Sequence, residues 1–145
     1  GLQWAQAFLL LAEMRSACVT PNTISFNAAI SACEKGRQGQ LALSLFDEMQ
    51  GAVITPDTIT FNAAASACEK TGEWQRTLLL LHEMHQAVVT PDVISFDAVF
   101  CACEKAGQWQ RAVLLFDEVR ATGVTLGMIN FETAVMAVAA AGELE

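Results

Sequence analysis

Between Thr23 and Lys35, apolar side chains return at Phe26, Ala29, Ile30 and Cys33. That i, i+3, i+4, i+7 order draws one buried stripe along an α-helix. With each residue advancing about 100°, Ile24, Asn27, Ser31, Glu34 and Lys35 fall on the opposite side. That face is polar except for the isoleucine at its start. Ile59, Ile94 and Ile129 repeat this feature, so the exposed face is itself specified. A second stripe runs through Leu41, Leu45, Phe46 and Met49, and later through Leu78, Leu81 and Met84, then Val113, Phe116 and Val119. The pattern predicts pairs of helices. Gly72 and Gly107 separate the members of a pair, where a left-handed C-cap favours glycine. Trp4, Trp74 and Trp109 open the second helices and are expected to wedge between neighbouring pairs. Gly39 holds that place in the first full unit, where a looser turn over 36–39 is expected.

The same stretch is then rewritten along the chain. Pro21, Pro56 and Pro91 stand 35 residues apart, with Leu126 next in the column. Phe26, Phe61, Phe96 and Phe131 keep the interval, and Cys-Glu-Lys recurs at 33–35, 68–70 and 103–105. A fixed period of roughly 20–50 residues marks a stacked solenoid, in which no unit buries its apolar face alone. Thr55-Pro56-Asp57 and Thr90-Pro91-Asp92 end one helix and begin the next. Proline pushes the residue before it out of the helical region, and aspartate favours the positive end of a helix. The expected division is a trailing half-unit at 1–22, full units at 23–57, 58–92 and 93–127, and a leading half-unit at 128–145, all in one continuous domain.

Composition changes this picture little. The 145 residues favour helix, and a net charge of −8 disfavours non-specific binding to nucleic acid. No apolar run is long enough to suggest a membrane span. The chain reads as a fragment of a longer array, from which the targeting end is missing. The five cysteines fit no zinc spacing, and Cys33, Cys68 and Cys103 read as small buried packing residues. His82 and His85 lie three apart beside Glu83 without further ligands at suitable spacing. No catalytic residue, metal site or cofactor is implied, and the chain is not expected to be an enzyme.

Thr55-Pro56-Asp57-Thr58-Ile59-Thr60-Phe61-Asn62, Cys68-Glu69-Lys70-Thr71-Gly72 and Leu80-Leu81-His82-Glu83-Met84 together resemble the pentatricopeptide repeat. Ile94-Ser95-Phe96 and Leu115-Phe116-Asp117-Glu118-Val119 match in the third full unit, and the resemblance covers the whole chain. Phenylalanine stands where that family usually has tyrosine. The resemblance implies an all-α, right-handed α-solenoid of antiparallel helix pairs that binds single-stranded RNA, one base per unit, in mitochondrial or plastid RNA processing. It also implies the roles of particular residues. The base readers are Asn27 with Asp57, Asn62 with Asp92, and Asp97 with Gly127. Asn22 is the last reader of the unit before, and Glu132 the first of the unit after. In the family an Asn/Asp combination favours uracil, whereas no base is assigned to Asp97 with Gly127. Ile24, Ile59, Ile94 and Ile129 sandwich bases, and Lys35, Lys70 and Lys105 contact phosphate.

Two departures weaken binding. Glu34, Glu69 and Glu104 fall beside the lysines, and Asp97 replaces the amide in the third unit. Three lysine contacts would give a salt slope near −2, from about −0.7 per single-strand phosphate. The alternative function is a scaffold for a protein or peptide, which suits the acidic balance. A peptide groove has no need for the Asn/Asp column, so Asn27→Ala with Asn62→Ala is expected to abolish uracil preference while leaving stability nearly unchanged. The open half-units at both ends point to self-association.

Overall fold

The computed structural model describes residues 3–121 and 128–144. They form helices α1 (Gln3–Ser16), α2 (Thr23–Lys35), α3 (Gly39–Gly51), α4 (Thr58–Thr71), α5 (Trp74–Gln86), α6 (Val93–Lys105), α7 (Trp109–Ala121) and α8 (Met128–Leu144). No strand occurs among the described residues, and none of their helices is long and apolar enough to cross a membrane.

Each first helix begins the same way. Asn22, Asp57 and Asp92 are extended N-caps whose side-chain oxygens accept from the backbone N–H of Ser25, Thr60 and Ser95. Those hydroxyls accept in return from the cap N–H, closing a reciprocal capping box. The prolines one residue upstream hold the chain extended on the way in. Helices end alike as well. The N–H of Gln38, Glu73 and Gln108 returns to the carbonyl of Cys33, Cys68 and Cys103, at 2.8, 2.9 and 2.9 Å. The residue before each donor is left-handed: Arg37 at φ 62°, Gly72 at 81° and Gly107 at 72°. Glycine at the last two positions meets the steric demand of that conformation.

The helices stack in two layers. First helices pack on one another in a row, α2 on α4, α4 on α6 and α6 on α8, while α3, α5 and α7 each lie against two neighbouring first helices. This is an all-α helical-repeat solenoid. The stripes read from the sequence face inward: Phe26, Ala29, Ile30 and Cys33 are buried, as are Leu45, Phe46, Met49, Leu81, Met84 and Val119. Phe46 meets Phe61 edge-on at 5.3 Å between ring centres, which ties the second helix of one unit to the first of the next. Fully burying such a side chain contributes about 1.5–3 kcal/mol. Cys33, Cys68 and Cys103 have no exposure, and burial raises all three thiols, that of Cys68 to about 12.

The turn over 36–39 is one residue longer than that between α4 and α5, but it closes by the same backbone hydrogen bond as its counterparts. Its three residues between helices equal those between α6 and α7. A methyl at Gly36 would sit 2.5 Å from Cδ1 of Trp4, and one at Gly39 would collide with Cγ2 of Thr71. Both glycines therefore mark close approaches. Trp4 wedges against the following unit as expected, and Trp74 carries the Arg111 guanidinium of the following unit 5.3 Å from its ring centre.

Candidate nucleic-acid interface

The paired columns meet across the boundary between units. Asn27, on α2, donates from Nδ2 to Oδ1 of Asp57 at 3.0 Å, although Asp57 caps the next first helix, α4. Asn62 does the same to Asp92 at 3.0 Å. A third residue completes each cluster: Thr60 bonds Oδ1 of Asn27, and Ser95 bonds Oδ1 of Asn62. Each hydroxyl also lies within bonding distance of the cap carboxylate, at 2.9 and 3.1 Å, and its single proton serves one acceptor at a time. The capping boxes of α4 and α6 are thus wired to the amide of the preceding unit.

Burial raises the Asp57 carboxyl, but bonds from the Thr60 N–H, the Asn27 amide, the Thr60 hydroxyl and the Ile59 N–H outweigh it and hold the group below its usual range. Two functions stay open at this cluster. Asn27 spends one amide hydrogen on Asp57 and keeps a second. The bonds from Asn27 and Thr60 fall on Oδ1 of Asp57, which leaves Oδ2 as an acceptor.

The helical wheel places Asn27 on the exposed face. In the fold it is 9% exposed and bonded to two side chains, so its replacement is expected to reduce stability, contrary to the reading from sequence. Asn62 is half-buried. The third unit differs. Asp97 is half-buried, and burial followed by the nearby Glu69 carboxylate pushes it above the ordinary carboxylate range. Its column partner Gly127 lies outside the described residues. Asn22 caps α2 through Ser25, and Glu132 is exposed on α8.

Ile24, Ile59 and Ile94 are 77%, 61% and 60% exposed, an apolar column presented to solvent at the start of three successive first helices. The side chain of Ile129 lies outside the described residues. The lysines occupy the other end of these helices. Lys70 pairs with Glu34 and Lys105 with Glu69, each carboxylate belonging to the preceding unit. The bond to Glu69, ahead of other influences, raises Lys105 above the usual lysine range. The wheel sets each glutamate beside its own unit's lysine; stacking pairs it with the next.

Two features of the site were not identified from the sequence. Thr60 and Ser95 are buried bridges between units, and the Ser25/Thr60/Ser95 column three residues after each cap carried the signal. The cross-unit direction of the Glu–Lys pairs had no single-helix signature.

A two-layer stack of helix pairs with a polar, hydrogen-bonded column repeated along one face defines a helical-repeat solenoid protein. The profile of the PPR repeat family matches residues 21–70, and that of the PPR repeat matches 59–87 and 94–124. The chain belongs to the pentatricopeptide repeat family. It is similar to the crystal structure of the pentatricopeptide repeat protein PPR10 from maize, at 25% identity and a TM-score of 0.71, over 99% of this chain and 20% of that one. The structure of PPR10 with an 18-nucleotide psaJ RNA element is similar at 24% identity and a TM-score of 0.73, over 84% of this chain and 18% of that one. The PPR domain of Arabidopsis thaliana protein-only RNase P 1, in complex with tRNA, shares the fold at 13% identity and a TM-score of 0.88, over 98% of this chain and 75% of that one. The chain therefore spans about a fifth of the maize protein. Comparison with curated proteins returns no match.

Proposed function

We propose that the chain binds single-stranded RNA through its repeated columns, without catalysis, and prefers uracil at its first two full units. The observation that carries this reading is the twofold Asn–Asp pair, Asn27 with Asp57 and Asn62 with Asp92, each held at 3.0 Å and flanked by an exposed isoleucine. Uracil offers an N3–H between two carbonyls. The remaining amide hydrogen of Asn27 can donate to a carbonyl, and Oδ2 of Asp57 can accept the N3–H. Single-stranded RNA exposes that edge, and base-per-repeat readers use two or three side chains for it. Ile24, Ile59 and Ile94 would pack on base faces, and Lys35, Lys70 and Lys105 would face phosphate. Asn22, Asp97 with Gly127, Ile129 and Glu132 would serve the adjoining positions. RNA complexes among the similar structures support the same reading. We place the activity in organellar RNA processing, in a mitochondrion or plastid, with self-association through the terminal half-units.

The test is fluorescence anisotropy of labelled oligo-U and oligo-A with the wild type and with Asn27→Ala/Asn62→Ala. A hydrogen bond between neutral groups contributes about 0.5–1.5 kcal/mol, so each lost asparagine should remove up to about tenfold of the uracil preference. Oligo-U preferred by the wild type and not by the variant is the expected result. An unchanged preference would refute base reading by these asparagines. No RNA binding by the wild type would direct attention to a protein partner.

A further inference from the structure

We infer that RNA phosphate is gripped mainly at the first full unit, by a cleft in which Arg37 joins Lys35 as a phosphate contact. The inference rests on the proposed RNA-binding function and assigns it a residue outside the repeated columns. Lys35, Arg37, Lys70 and Lys105 line one cleft of about 600 Å³ at the C-terminal ends of α2, α4 and α6. These are four of the eight basic residues in a chain of net charge −8.

The other four are engaged elsewhere. Arg15 pairs with Glu48 and Arg76 with Asp47, while Arg111 lies over Trp74 and Arg120 over Phe116. Within the cleft, Glu34 holds Lys70 and Glu69 holds Lys105. Among the described residues, Lys35 and Arg37 alone of the basic side chains have no ionic, hydrogen-bonding or ring partner.

The backbone adds a second observation. Arg37 occupies the left-handed position, at φ 62°, that the next two units give to Gly72 and Gly107. A side chain is strained there, and glycine would relieve the strain. The arginine thus supplies charge at a position where the fold alone favours no side chain. Helix C-termini repel anions, so a phosphate beside α2 and α4 needs cationic side chains to hold it. The first turn of α3 opens on the same cleft at Gly39, with no side-chain cap. Its free backbone N–H groups favour an anion. A guanidinium presents a fork of donors that matches phosphate oxygens.

The experiment measures oligo-U affinity against salt concentration for the wild type, Arg37→Gly and Arg37→Lys, with urea unfolding of each in parallel. Removing one phosphate-binding cation makes the log–log slope shallower by about 0.7, equivalent to about fivefold in affinity for each tenfold dilution of salt. Arg37→Gly should show that change while unfolding at the same or higher urea, and Arg37→Lys should restore most of the slope. An RNA-binding wild type whose slope survives Arg37→Gly would overturn the cleft and leave base reading standing. A wild type that binds no RNA would overturn both.

Discussion

Three residues at the ends of second helices adopt a conformation that their side chains oppose. Cys18, Val53 and Val88 have φ of 60°, 59° and 58°. The N–H of the residue after each returns to a methionine carbonyl, Met14, Met49 or Met84, so the turn is fixed by hydrogen bonding, with no help from side-chain preference. A β-branched residue is a genuine outlier there. Left-handed geometry costs an ordinary residue about 1–2 kcal/mol, and the greater unfolded-state freedom of glycine offsets about 0.4–1 kcal/mol of any relief. Val53 and Val88 are both 90% exposed, so their side chains contribute little packing. Val53→Gly and Val88→Gly should therefore each stabilise the fold by roughly 0.5–1 kcal/mol, and the two effects should add because the sites share no partner. Urea unfolding measures this, and a midpoint that falls in either variant would show that the valines pack. One hint is visible along this column, since Gly123 stands one period after Val88. Nothing in the valines themselves announces a left-handed residue.

The first helix of each unit was legible because burial imposes a period that one strand of text displays. Phe26, Ala29, Ile30 and Cys33 had to share a face, and they do. The polar contacts between units were not legible in the same way. A helical wheel treats each helix alone, whereas Asn27 is buried by Asp57 and Thr60, 30 and 33 residues away. Asp57 consequently does two things, capping α4 and orienting the amide before it. Its folded pKa is depressed below the unfolded value of about 3.9. The sign follows from linkage: this stability is fully present above the unfolded pKa and is lost as pH falls through the folded one. Asp57→Asn keeps a good cap, as Asn22 demonstrates on α2, and removes the titration. As pH falls through the unfolded value of about 3.9 and on through the lower folded one, the wild type should lose more stability than Asp57→Asn. Asp97 contributes with the opposite sign because its pKa is raised, and since both proteins retain it, it cancels in the comparison. Parallel curves of unfolding free energy against pH would show that the Asp57 bonds are too weak to matter.

At the scale of the whole chain, charge and apolar surface oppose each other. In the full units each first helix is covered by second helices on both sides, but among the described residues α8 meets only α6 and α7. A groove lined by Val113, Phe116, Phe131 and Val135 stays open beside it, and Phe131 is 46% exposed where Phe26, Phe61 and Phe96 are buried. At the other end α1 presents Leu9 and Leu10, each 61% exposed, and Trp4 puts that helix in the register of a second helix. The self-association proposed above would set one copy's α1 against another copy's α8, a head-to-tail contact that continues the stacking inside the chain. Such contacts do not close on themselves, so association should grow with concentration. Two chains of charge −8 repel, and salt screens that repulsion over a Debye length of about 10 Å at 0.1 M. Sedimentation velocity should thus report a mass above 15.6 kDa that rises with added salt, and Val135→Lys should bring it back toward the monomer. RNA binding through lysine and arginine must respond to salt in the reverse direction. A mass that stays at 15.6 kDa at every salt concentration would refute the end-to-end contact. If instead mass rises while RNA affinity falls along one salt titration, the apolar ends and the basic cleft are acting as separate surfaces.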